Sequence, residues 1–143
     1  MTIDIETLEF KNISFQFDEH HKIVQDLDFQ FPMNSIVRIH GPHGCGKSTL
    51  LRMLACLVEP SGGEYLINGQ VINQMSFEEL IPFRLKIGYG FDYGGLLNNR
   101  TIYQNLILPI QYHNIMEPDI AERHVEKVIE LFSLQRAARS RPS

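Results

Sequence analysis

The sequence predicts an α/β domain that opens with antiparallel β structure. Three observations carry this. The first forty residues alternate apolar and polar positions at the period of strands. A short β-rich run, Ile36 to His40, then enters a glycine-rich loop that continues as a helical pattern from Lys47. Beyond it, extended and helical periods take turns, as they do where helices pack on a sheet.

Leu8 and Phe10, then Ile13, Phe15 and Phe17, alternate with one slip at Asn12 that reads as a bulge. The polar stretch Asp18 to Lys22 reads as a hairpin tip, with Ile23, Val24, Leu27, Phe29 and Phe31 in the returning strand. Pro32-Met33-Asn34-Ser35 is a turn. Leu50, Leu51, Leu54, Ala55 and Val58 recur at helical spacing, and Pro60-Ser61-Gly62-Gly63 stops that helix. Tyr65 to Ile72 reads as two short strands about an Asn68-Gly69 turn. Ser76 and Glu79 form a capping box ahead of a short helix, Phe77 to Arg84. Leu85 to Phe91 reads as a strand. Pro118 suits the first position of a last helix whose apolar face is Val125, Val128, Ile129 and Phe132.

The 143 residues suit one domain, able to bury about two-thirds of the surface its unfolded chain exposes. Hydrophobic residues at 43% and charged residues at 21% exclude a disordered tail and a disulfide scaffold. The net charge of -4 argues against a nucleic-acid binder, which needs a basic face. The two cysteines, Cys45 and Cys56, suit a reducing compartment. No stretch is apolar enough to cross a bilayer, and Met1 to Glu9 lacks the pattern of a secretion signal. The expectation is a cytoplasmic protein that meets a membrane only through a partner.

Gly41-Pro42-His43-Gly44-Cys45-Gly46-Lys47-Ser48 matches G-x-x-x-x-G-K-[ST] at every fixed position. Phosphate chains carry several charges and many acceptor oxygens. Loop amides can turn inward to meet them, and the glycines permit the backbone angles and the close approach. The first turn of the following helix, with Ser48 and Thr49, adds unpaired donors and the positive dipole end. Lys47 reaches the β- and γ-phosphates of a nucleotide as a point charge, and the Ser48 hydroxyl ligates Mg²⁺; the loop alone does not choose among kinases, GTPases and transport ATPases. Pro42 and His43 fill variable loop positions. Cys45 lies near a helix start and Lys47, a setting that activates thiols; its plainer reading is a small residue in a tight loop. His40 and His43 stand at a strand end and inside the loop, a poor setting for a metal pair.

Three segments select a family. Leu8 to Phe17 resembles the opening strand of an ATP-binding cassette (ABC) transporter ATPase. Pro60 to Gly69 resembles that family's turn and strand after the phosphate-loop helix. Ile87 to Leu97, with Thr101 to Leu106 and Leu108-Pro109, resembles the strand and glutamine-bearing loop that lead into the helical subdomain. Gly94 to Pro109 is also similar to ATPases of lipid-handling transporters, the mammalian-cell-entry type included. The resemblance implies a P-loop NTPase core with an N-terminal antiparallel β subdomain and the start of a helical subdomain, truncated. Its parts are 1–40 (antiparallel region and loop strand), 41–59 (loop and helix), 60–92 (strands to the glutamine position) and 93–143.

The resemblance places Phe17 on the adenine ring, where stacking contributes roughly 1–3 kcal/mol. It places Asp92 at the glutamine position, as a catalytic and metal-contacting residue. That substitution departs from the family. A carboxylate can hold Mg²⁺, but facing a γ-phosphate at about 4 Å it is repelled by about 4 kcal/mol at an effective dielectric of 20. The family's signature, Walker B strand and switch histidine are expected after Ser143. The resemblance further implies a pair of subunits, two copies or this chain with a second ATPase, closing head to tail on nucleotide. A transmembrane permease docks near Asp92 to Asn105. The alternative is a nucleotide-binding or regulatory P-loop protein with little or no hydrolysis. A small P-loop kinase fits less well, because no arginine-rich lid is present and an antiparallel segment comes first.

Overall fold

The computed structural model describes residues 3–16 and 22–142. Phe17 and the hairpin-tip residues Asp18 to His21 lie outside the described residues, and Lys22, expected in the tip, opens a strand instead. Two compact units divide the chain, Met1–Tyr89 and Gly90–Ser143.

The first unit is built on an antiparallel sheet of β1 (Leu8–Gln16), β2 (Lys22–Phe31), β3 (Gly62–Ile67) and β4 (Gln70–Val71), in the order β2-β1-β3-β4. The expected bulge is present. The β1–β2 register shifts between Phe10 and Ile13, and Asn12 takes φ 50°. That shift keeps Phe10, Ile13 and Phe15 on one buried face despite the odd spacing. β3 and β4 join through Asn68 (φ 51°) and Gly69 (φ 75°), the left-handed pair that a two-residue hairpin demands. β1 and β3 each pair on both sides, and Phe10, Ile13 and Ile67 are almost fully buried there. Phe10 meets Phe31 and Tyr65 edge to face at 5.3 and 4.9 Å.

Two helices close this core. α1 (Lys47–Leu54) contributes Met53, and α2 (Phe77–Arg84) contributes Phe83. The Ser76–Glu79 capping box forms as expected, and the Ser76 amide that Glu79 accepts from holds its carboxyl below the usual range. α1 stops a turn earlier than its periodicity suggests. Cys56 takes φ 54°, its N–H reaches the Met53 carbonyl, and the Leu57 N–H reaches Arg52. This closure satisfies the last carbonyls before Pro60 is reached.

Two expected strands do not form. Ile36 to His40 and Leu85 to Phe91 have no ladder partner among the described residues. Ile36 is fully exposed. A strand is defined by its neighbour, and in the second segment the Leu85, Lys86 and Ile87 amides instead close turns on Ile81, Phe83 and Arg84.

The second unit holds α3 (Ile102–Tyr112) and α4 (Pro118–Leu131), packed through Ile107, Val125, Ile129 and Ala138. The sequence reading placed the start of a helical subdomain in 93–143 but did not mark α3 within it. Its signal was there in the Thr101–Gln104 capping box. α4 begins at Pro118 as expected and buries Ala121, Val125 and Ile129. Phe132 is not on its apolar face. It caps the helix and is 65% exposed, because Ser133 (φ 56°) turns the chain away there. Among the described residues no helix is long and apolar enough to cross a membrane.

Candidate functional site

The phosphate-loop residues converge at the N-terminus of α1. Gly44 and Gly46 sit at φ 81° and 89°, angles that L side chains take at a cost. Gly46 also passes so close to β2 that a Cβ there would run into Cγ2 of Ile23. At Gly41 a Cβ would stand 2.7 Å from the Cys45 sulfur. The three glycines therefore answer to separate demands, two of them steric.

Lys47 is half-buried and points back across the loop. Its Nζ donates to the carbonyls of Gly41 at 3.0 Å and Pro42 at 2.7 Å, with Cys45 Sγ at 3.7 Å. An ammonium carries three donors. Two are anchored by loop carbonyls and the third faces the Cys45 sulfur, a weak acceptor that an anion can displace, so the charge is held at a fixed place. α1 begins without a side-chain cap and without an acidic residue in its first turn. Its leading amides and dipole are thus left for a ligand. Ile23, His43, Gly44, Lys47, Ser48 and Thr49 line a cavity of about 280 Å³ beside them. Ser48 is exposed, and its hydroxyl is accessible to a cation. Thr49 is buried and anchors the turn. Tyr65 pins the far end of α1 by donating from its hydroxyl to the Leu54 carbonyl at 3.0 Å, and burial raises its phenol above the ordinary range. Chemically this is an anion cradle: fixed ammonium, free amides, and room for a phosphate chain.

Gly41 through Thr49 stand together around the N-terminus of α1. Ile23 belongs with them and was not foreseen, since nothing in an alternating strand marks which residue will face a distant loop. Asp92 lies in the second unit, exposed, its Oδ1 accepting the N–H of Tyr93 at 3.0 Å. Phe17 falls outside the described residues.

The family model of the ABC transporter matches residues 24–143. The chain belongs to the ABC transporter family. It is 37% identical over 120 residues to the methionine import ATP-binding protein of Desulfitobacterium hafniense, covering 84% of this chain and 35% of that protein. The counterpart in Clostridium acetobutylicum is 33% identical over 136 residues, covering 95% and 42%. The ABC chain thus spans well under half the length of these curated relatives. Among solved structures, the dimeric post-hydrolysis state of the ATP-binding cassette MJ0796 bound to ADP and phosphate matches with a TM-score of 0.82. It is 25% identical, covering 94% of this chain and 61% of that one. A bacterial Atm1-family ABC exporter with ATP bound matches with a TM-score of 0.63 and 31% identity, covering 76% and 18%. The ABC fold therefore accounts for both units.

Proposed function

We propose that this ABC chain binds the triphosphate of ATP on Gly41–Thr49 and is the nucleotide-binding part of an importer ATPase that works through a membrane-spanning permease. The observation that carries the reading is the Lys47 ammonium, bridged to the Gly41 and Pro42 carbonyls at the head of an uncapped α1. The amides of the loop and of the first helical turn bind phosphate oxygens, and the Lys47 donor that faces the Cys45 sulfur turns to the terminal ones. Ser48 is the proposed ligand of Mg²⁺, which would neutralise charge on the phosphates. Phe17 as the adenine platform and Asp92 as the residue facing metal and water rest on their family positions. The names of the curated relatives support import of an amino acid such as methionine. The dimeric solved cassette supports action as a pair. The protein then sits on the cytoplasmic side, held to the membrane through its permease.

The test is an equilibrium titration of the chain with a fluorescent ATP analogue, with and without Mg²⁺. Lys47→Ala is expected to weaken binding at least tenfold, and Ser48→Ala to remove the Mg²⁺ dependence. Equal affinity in Lys47→Ala and the parent refutes the reading.

A second reading, nucleotide binding with little hydrolysis, is favoured by Asp92, where a carboxylate replaces a neutral amide. Phosphate release measured for the parent and for Asp92→Gln separates the two. A rise in turnover in Asp92→Gln supports the second.

A further inference from the structure

A second cavity opens at the other end of α1, wholly within the first unit. Its volume is about 170 Å³, and it shares no wall residue with the phosphate cradle. Met53, Cys56, Ile72, Met75 and Leu80 make its lining apolar and sulfur-rich. Other polar groups on the wall are already spent. The Tyr65 hydroxyl donates to the Leu54 carbonyl at 3.0 Å. Asn73 Oδ1 accepts the Tyr65 N–H at 2.8 Å, and Asn73 Nδ2 donates to the Gly63 carbonyl at 3.2 Å. Burial pushes the Cys56 thiol up to about 11, so it stays uncharged.

One group is left over. Arg84 is half-buried on the same wall, and its side chain makes no hydrogen bond or ion pair among the described residues. Its guanidinium lies over the Phe77 ring, 5.6 Å from the centroid, a contact that needs none of its N–H groups. Five donors in a planar fork match the two oxygens of a carboxylate. An apolar cavity of about 150 Å³ takes up benzene, so this one has room for about six to eight heavy atoms.

We propose that this cavity binds a small carboxylate with a short apolar tail, the hydrocarbon lying between Met53, Met75 and Leu80 and the carboxylate on Arg84. The inference is independent of the nucleotide reading. A neutral ligand would leave the guanidinium covered without an acceptor. Glu59 also stands on the wall, but it is exposed, so solvent screens its repulsion.

The test titrates the full chain, isotope-labelled at the methionine methyls, with hexanoate and with hexanol. In the parent, hexanoate is expected to shift the Met53 and Met75 methyl signals and leave those of Met33 and Met116. It should saturate with a dissociation constant of about 1 mM or below. Hexanol should bind at least about tenfold more weakly. Arg84→Gln should weaken hexanoate at least about tenfold and leave hexanol within about twofold. Glu59→Gln should tighten hexanoate about twofold. Leu80→Trp fills the cavity and should abolish both titrations in a chain that still melts cooperatively. Lys47→Ala should bind hexanoate as the parent does. Absence of any Met53 or Met75 shift at about 20 mM hexanoate overturns the proposal. So does equal affinity for acid and alcohol in the parent, or undiminished hexanoate binding in Arg84→Gln. Loss of hexanoate binding in Lys47→Ala places the carboxylate in the phosphate cradle and overturns it as well. If Arg84→Gln does not fold, the ratio of acid to alcohol affinity in the parent decides the matter.

Discussion

Replacing Gly46 by alanine should disable the phosphate cradle, and two separable costs set the size of the effect. Gly46 sits at φ 89°, ψ 8°. An L side chain there costs roughly 1–2 kcal/mol. The new methyl would also collide with Cγ2 of Ile23 on β2, and overpacking of this kind costs roughly 1–3 kcal/mol. Together they come to about 2–5 kcal/mol. The chain relieves that strain by rotating the Gly46 peptide, which turns the leading amides of α1 out of the cavity. The lower bound alone predicts binding weaker by about 30-fold. The assay is the anisotropy of a fluorescent ATP analogue with Mg²⁺, with a thermal melt to confirm folding. Ile23→Ala combined with Gly46→Ala removes the collision and leaves the backbone cost, so about half the lost binding energy should return. Affinity within twofold of the parent in Gly46→Ala would refute the reasoning. Full recovery in the double variant would show that the backbone angle carries no cost.

Three further outcomes are expected. Gly63→Ala should lower the melting temperature sharply, because Gly63 takes φ 83° and a Cβ there would strike the Asn12 carbonyl across the β1–β3 pair; differential scanning calorimetry reads it, with a loss of roughly 3 kcal/mol. Thr101→Ala should cost about 1 kcal/mol in denaturant unfolding of α3, because the hydroxyl that accepts the Gln104 N–H at 3.1 Å is lost. Alkali should destabilise the first unit. Burial pushes the Cys56 thiol from 9.0 up to about 11, against a smaller opposing pull from Arg84, and burial raises Tyr65 as well. Both groups fold as neutral acids; the Cys56 contribution is complete below pH 9 and is lost as pH rises through 11, while that of Tyr65 begins to fall only above pH 10. Melts between pH 8 and 11.5 should show that fall, and Cys56→Ala should flatten its lower part.

The sequence by itself determined what neighbours along the chain decide. The bulge at Asn12, the Asn68-Gly69 hairpin, the capping box at Ser76 and the start of α4 at Pro118 are local chemistry, and each stands where its residues place it. The cradle was legible for the same reason: nine consecutive residues supply its glycines, its ammonium and its hydroxyls. Pairing over long distances was not legible. That β1 would take β3 as its second neighbour, that Ile36–His40 and Leu85–Phe91 would find no ladder among the described residues, and that Ile23 would close the phosphate cavity are outcomes of packing. Alternation tells which face of a strand is apolar, but not what will come to lie against it. That is decided only when segments far apart in the chain compete for the same surface.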